Sequence, residues 1–487
     1  MPGVTSGATL SLRRLQMNFS KLKTMLGTFL TAAVLGVISS TAHAGDEWID
    51  NWKSFAAESG LPEHAAWAAA IDNAETRALA KEWEDFRGYT ASSLLAQETL
   101  PAELKPGLII TKENIDSLPW AKDYLPQYWM DRLTSDWMPI KGIRVVPTSH
   151  YYMQKARLDA TKKLGPDPFT INEKGELRDK NGEHGFLTEA GLPFTDPKNG
   201  EEINWLFNAH GVGADDLYFD PINMAACAEN NKLERLYKAN IFWRRMAGRV
   251  SAAPLGNVKG FEGITEAGAL LIKSPRDVRG LAGVRLRFAD ADKDDDFKLY
   301  IPSLRRTRSL TGTNGQDPIA PGLELTWDDW RSNWFKTDRR KFEYTKIKDA
   351  TILAVPEVGN VYDPYRIAED ACNMSGIVDM EVRPTWLYEI TDLTETYQYS
   401  KKRVWVDKEL YYSQFLEMDD RNGDLWRIWD DSRDWEPTTG RAQYRSALIV
   451  NARNKRSTVI TIDSDWDEKL DGMTNAIFNI DQLRDRR

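Results

Sequence analysis

Three arginines fall within four positions, Arg305, Arg306 and Arg308, directly after the stretch Phe297 to Pro302. In that stretch Phe297, Leu299 and Ile301 point to one side of a strand, and Lys298, Tyr300 and Pro302 to the other. Guanidinium groups bind phosphate or carboxylate through a two-pronged fork. The chemistry open to this cluster, with Tyr300 beside it, is therefore recognition of an anionic head group at the rim of an apolar surface. Pairing with the nearby acids Asp292 to Asp296 would satisfy the same arginines and give them a purely structural role. A second set is aromatic. Trp327, Trp330 and Trp334 fall at i, i+3 and i+7, one stripe on a helix, which suits core packing or a hydrophobic lid. Trp386 and Tyr388 share one face of a further strand, opposite Leu387 and Glu389.

Catalytic constellations are harder to assemble. Beyond residue 44 the histidines are His64, His150, His184 and His210, with no His-x-x-x-His spacing to hold zinc. Neither Gly-x-Ser-x-Gly nor a Walker-type phosphate loop occurs. Asp290 to Asp296 resembles a calcium loop only superficially, because Asp295 and Ile301 stand where glycine and glutamate are required. We therefore expect no enzyme activity, no metal and no cofactor. Abundant carboxylates, such as Asp328-Asp329 and Asp430-Asp431, and 18 tryptophans keep a carbohydrate-active or carbohydrate-binding protein as the alternative.

These side chains must be positioned by a chain that reads as exported. Residues 1–44 carry Arg13, Arg14, Lys21 and Lys23, an apolar run from Met25 to Ile38, and Ala42-His43-Ala44 before Gly45, the order of a cleaved signal peptide. The run is short of the roughly 20 residues that span a bilayer, and nothing later approaches that length, so no integral membrane segment is expected. Removing this segment takes the net charge from −9 to −13, because its four basic residues have no acidic counterpart. So acidic a chain argues against nucleic acid as a partner. The two cysteines, Cys227 and Cys372, either pair in an oxidising compartment or pack as separate buried thiols.

Residues 45–140 read as a helical N-terminal region. Trp48, Trp52 and Phe55 recur at helical spacing, and Trp67, Ile71, Ala74 and Ala78 share a face. Short helices are expected around Leu118-Pro119 and Leu125-Pro126, then a strand at Ile143 to Pro147. Residues 165–200 form a polar excursion anchored at Leu192-Pro193-Phe194, and a short helix is expected within Asp220 to Asn230. Strands are expected at 269–273, 283–289, 297–302, 382–390, 402–407, 410–418, 425–431, 446–451 and 458–462. Asn422-Gly423 closes a hairpin, so neighbouring strands run antiparallel. Aromatics on both faces of several strands imply that the second face is covered or holds a ligand.

The order of short motifs resembles the DUF1329 family and the related outer membrane lipoprotein-sorting, LolA-like families. The motifs are Lys273-Ser274-Pro275-Arg276-Asp277-Val278-Arg279-Gly280, the acidic turn Asp290 to Asp296, Tyr300 to Arg308, Gly312 to Pro318 and Thr326 to Trp330. Tyr399 to Asp407 and Asp419 to Arg427 continue the order, and Ile110 to Asn114 and Arg144 to Thr148 match upstream. The resemblance implies an α+β fold in which residues 141–487 form a curved antiparallel sheet, an incomplete barrel, covered by helices. It implies a periplasmic carrier or chaperone for a lipid or other hydrophobic molecule, working beside an inner-membrane transporter of the resistance-nodulation-division (RND) class. It brings no catalytic motif. A lipid-free adaptor of such a transporter is the reading from a different class.

Overall fold

A computed structural model describes residues 46–185, 191–210, 214–310, 315–329, 336–359, 361–364, 372, 374–462 and 474–485. Residues 1–45, Trp330 and Trp334 lie outside the described residues.

Four helices open the chain: α1 (Glu47–Ser59), α2 (Pro62–Ile71), α3 (Ala74–Arg87) and α4 (Ala91–Leu95). On α1 the buried side chains are Trp48, Ile49, Trp52, Phe55 and Ala56, one amphipathic stripe. Asn73 caps α3 by accepting the Thr76 N–H at 2.8 Å, and Pro62 opens α2 where a missing N–H is harmless. Strands β1 (Ile109–Ile110) and β2 (Gly142–Val146) flank α5 (Ala121–Tyr124) and α6 (Gln127–Thr134). The polar excursion runs from the end of α7 (Lys155–Leu164) to the start of α8 (Gly200–His210) and holds a small hairpin of β3 (Thr170–Ile171) and β4 (Leu177–Arg178). Then follow β5 (Asp216–Cys227), β6 (Leu233–Arg245), β7 (Ile264–Ser274), β8 (Ala282–Phe288), β9 (Asp296–Ile301), β10 (Arg306–Ser309), β11 (Phe342–Ala354), β12 (Ile377–Asp392), β13 (Lys401–Asp407), β14 (Ser413–Asp419), β15 (Leu425–Glu436), β16 (Arg441–Asn451) and β17 (Arg456–Ile462), with α9 (Ile480–Arg484) last.

All but β3 and β4 join one open, curved sheet in the order β1-β2-β12-β13-β14-β15-β16-β17-β5-β6-β7-β8-β9-β10, with β11 beside β12. Pairing is antiparallel except between β2 and β12. Register shifts interrupt β5–β6, β7–β8, β13–β14 and β15–β16, and such bulges bend strands and let a sheet curve. One face, called inner here, carries Tyr237, Trp243, Leu270, Phe297, Trp386, Leu416 and Ile449. These share one apolar cluster with α1–α3, α8 and the segment 319–327. The opposite face packs on α5 and α6 around Val378, Phe415 and Leu448.

Buried polar contacts tie the helices to the sheet. His64 of α2 meets Asp379 of β12 at 2.9 Å. Arg383 of β12 donates to Asp407 (2.7 and 3.0 Å), Glu409 (2.9 Å) and the Ser149 carbonyl (2.7 Å). Glu409 also accepts the Ala91 N–H at 2.6 Å and contacts His150 at 2.7 Å. Burial alone would raise the Glu409 carboxyl, but the charges of His150 and Arg383 outweigh it and hold it at about 2. Cys227 of β5 and Cys372 form a disulfide, which resolves the open alternative in favour of pairing.

Several expectations need correction. Residues 216–227 are a strand, not a short helix. Asp220-Pro221 and Ala225-Ala226 suit a helix locally, yet β17 and β6 pair with the segment on both sides, and tertiary pairing overrides propensity. The strand expected at 410–418 begins only at Ser413, because Tyr411 takes φ +59 in a turn. Residues 327–329 form a turn rather than a helix, so the tryptophan stripe does not begin as a helical one.

Candidate functional site

The inner face of β5, β6 and β7 meets that of β15, β16 and β17 around a narrow apolar cavity of about 60 Å³. Leu217, Phe219, Ile222 and Met224 of β5 face it, with Ile241 and Trp243 of β6 and Leu270 of β7. Trp429, Ala447, Ile460 and Ile462 close the other side. The only hydroxyl-bearing side chains in the lining are Tyr444 and Ser446, and Ser446 is already hydrogen-bonded to Ser432 at 2.8 Å. The bulge at Asp220-Pro221 builds this lining. Phe219 lies opposite Ile241 and Ile222 opposite Ala239, so two residues three apart both point inward.

Ile319 and Leu325 reach the cavity from a hairpin-like segment laid over the sheet. Its limbs are tied by the Ile319 N–H to the Leu325 carbonyl at 2.9 Å, and it is anchored by the Glu324 N–H on Thr458 Oγ1 at 2.7 Å. Trp327 ends the segment. It is 2 % exposed and meets Phe297 edge-on with ring centres 5.3 Å apart. Gly283 of β8 makes room for it: a Cβ there would lie 2.8 Å from Trp327 Cζ3. Beside the segment, Asp329 accepts from Thr326 (2.7 Å) and Tyr399 (2.9 Å), and Arg427 donates to the Tyr399 hydroxyl at 2.8 Å. Burial lowers Lys402 in this neighbourhood to about 8, against the opposing pull of Asp329 and Asp328.

The residues singled out from sequence do not converge. Trp327 packs beside the cavity as described. Trp386 stacks on Tyr411 at 6.2 Å, and the Tyr388 hydroxyl donates to Asn204 at 3.1 Å, so both lie under the helical cover and away from the cavity lining. Arg306 and Arg308 stand opposite Ile301 and Leu299, which puts them on the inner face of edge strand β10, where both are exposed. Tyr300 faces the other side, in the cluster with α9. Arg305 sits in the β9–β10 turn at φ +50. Strand β10 lies three strands beyond β7, about 14 Å at ordinary strand spacing. The acidic turn does not take these arginines: Asp292 pairs with Lys174 and Arg340, Asp295 with Arg285 and Arg287, and Asp296 with Lys298.

The family model described as "Protein of unknown function (DUF1329)" matches residues 109–484. The chain belongs to the DUF1329 family. Solved structures similar to this DUF1329 chain include a domain from Vibrio parahaemolyticus named for outer membrane lipoprotein sorting, 18% identical with a TM-score of 0.42 over 58% of this chain and 97% of that one. A DUF1329 family protein from Desulfovibrio piger ATCC 29098 is 14% identical with a TM-score of 0.39, covering 56% and 92%. A LolA superfamily protein from Nitrosomonas europaea is 13% identical with a TM-score of 0.37, covering 58% and 98%. No curated protein matches the sequence. No helix among the described residues is long and apolar enough to cross a membrane.

Most of the cavity lining escaped the sequence reading. On β17 the alternation Ile460, Ile462 was visible, but on β5 and β6 the strands themselves were missed. The signal that could have found them is Leu217-x-Phe219 followed by Ile222-x-Met224, two alternating pairs out of phase across Asp220-Pro221.

Proposed function

We propose that this DUF1329 protein is a non-catalytic periplasmic carrier or chaperone that holds a lipid or other hydrophobic molecule in the cavity between β5–β7 and β15–β17. The observation that carries the reading is the lining: almost wholly apolar walls around a space of about 60 Å³ that the Ile319–Leu325 segment narrows. Apolar surface withdrawn from water there contributes about 25 cal/mol per Å², and admitting an acyl chain requires the Ile319–Leu325 segment to lift and widen the space. A sugar would need several hydrogen-bond partners, which Tyr444 and Ser446 alone do not supply. Release requires the Ile319–Leu325 segment to move, and an acceptor that favours the open form would shift that equilibrium. Partnership with an inner-membrane RND transporter, and export by the N-terminal segment, are supported by the family resemblance and by the order of charge, apolar run and small residues in 1–44.

The test is displacement of a fluorescent fatty acid from the purified protein, compared with Ala447→Trp, which fills the cavity from β16. Saturable binding that Ala447→Trp abolishes supports the reading. Equal binding by both proteins, or none by the wild type, removes the cavity from consideration.

A further inference from the structure

One end of the sheet carries the turns 228–232, 275–281 and 302–305. The pairings Cys227–Leu233, Lys238–Ser274 and Ala282–Tyr300 place these turns at one edge of the molecule, side by side in the order β5–β6, β7–β8, β9–β10. Lys232, Arg276, Arg279, Arg305 and Arg306 are exposed there, and none of the five has an ion-pair partner among the described residues. Arg308 adds a sixth charge one step down β10. The acids of the same turns and strand ends are few. Asp277 is taken by Arg235 and Glu234 by Arg456, which leaves Glu229 exposed. The acidic turn 290–296 lies at the other end of β8 and β9.

This basic end also exposes leucines. Leu304 at the tip of the β9–β10 turn is 49% exposed, Leu233 is 44% and Leu236 is 37%. Of the seven large hydrophobics exposed among the described residues, three lie on these two hairpins, β5–β6 and β9–β10. A chain with net charge −9 has thus separated a cationic, leucine-tipped edge from the rest of its surface. The segment over the cavity reaches the same edge: beside Gly322 lie Ala226 of β5 and the side chains of Arg456 and Glu234.

We propose that this end of the sheet docks on an anionic lipid bilayer, the arginines and lysine over phosphate groups and the leucine tips in the interfacial layer. The pattern favours a bilayer over an acidic peptide. The charges come from three separate turns in one row rather than from one groove, and the leucines stand at tips, where they can enter a plane. Arginine and lysine near an anionic bilayer act additively, and a short apolar tip adds its own buried area. The inference is independent of what the cavity holds.

The experiment is co-sedimentation of the full mature chain with vesicles of phosphatidylcholine containing about 30 mol % phosphatidylglycerol, against pure phosphatidylcholine, at low and high salt. Binding to the mixed vesicles alone, weakened by salt, is expected. The triple variant Arg305→Glu, Arg306→Glu, Arg308→Glu should bind about 100-fold more weakly, and Leu304→Asp should weaken binding without changing the salt dependence. All four positions are exposed, so unchanged circular dichroism and melting should accompany the loss. Equal binding to both vesicle types, or binding that the arginine reversal leaves intact, overturns the proposal. So does vesicle indifference combined with arginine-dependent binding of poly-glutamate, which would assign the edge to an acidic protein.

Discussion

Replacing Gly283 by alanine puts one methyl group where Trp327 rests. The new Cβ would lie 2.8 Å from Trp327 Cζ3, 3.0 Å from Cη2 and 3.4 Å from Phe297 Cε2. Ordinary contact is 3.5–4.0 Å for carbon pairs, so the indole must retreat by roughly 0.5–1 Å. The backbone cannot yield instead, because Gly283 is paired with Leu270 on one side and Leu299 on the other. Overpacking of this kind costs about 1–3 kcal/mol. Reduced freedom of the unfolded chain returns about 0.4–1 kcal/mol, so a net loss of about 1–2 kcal/mol is expected. Urea unfolding followed by circular dichroism measures it. Trp327→Ala should lose about 3–5 kcal/mol alone, and in the double variant the Gly283→Ala penalty should vanish, a coupling of 1 kcal/mol or more. If Gly283→Ala is neutral or stabilising, or if its effect adds simply to that of Trp327→Ala, then the indole is not seated on β8 and the account of the covering segment is wrong.

Other perturbations probe the frame around it. Arg383→Met takes the cation away from the buried carboxylate of Asp407 and leaves Glu409 only His150 and backbone N–H partners, and it should destabilise by about 3–5 kcal/mol in the same urea assay. Burial lowers His184 to about 4, whereas in the unfolded chain it titrates near 6.5. The unfolded state therefore binds more protons between those values, and stability falls as pH drops from about 6.5 to about 4. Comparing pH-stability curves of wild type and His184→Gln should show a difference that grows to at most about 3 kcal/mol toward pH 4, and parallel curves would refute it. The Cys227–Cys372 bridge spans 145 residues, so reducing it, or Cys227→Ser with Cys372→Ser, should cost up to about 5 kcal/mol. Unchanged unfolding midpoints with and without reductant would contradict that.

The fold was legible where patterns were local. Trp48, Trp52 and Phe55 announced α1, and Asn422-Gly423 announced the β14–β15 turn, where Gly423 takes φ +87. The shared order of short motifs pointed to the family. What stayed hidden was set by long-range pairing. Strand β10 reads as polar because it is an exposed edge, and β11 carries Lys346, Lys348 and Asp349 for a similar reason. Strand β5 switches phase at its bulge, so its period of two breaks where the cavity is lined. The arginine cluster was visible as chemistry, but its setting was not. Which acids it meets depends on the β8–β9 turn lying at the far end of the sheet, and no spacing along the chain reports that.

The central claim is that the cavity of β5–β7 and β15–β17 carries a hydrophobic molecule. Native mass spectrometry of the mature protein purified from its own host envelope, followed by solvent extraction and lipid identification, tests it most directly. The account expects a near-stoichiometric apolar or acylated adduct on the wild type that Ala447→Trp lacks. A wild-type protein that is reproducibly empty, or an adduct that persists in Ala447→Trp, would contradict it.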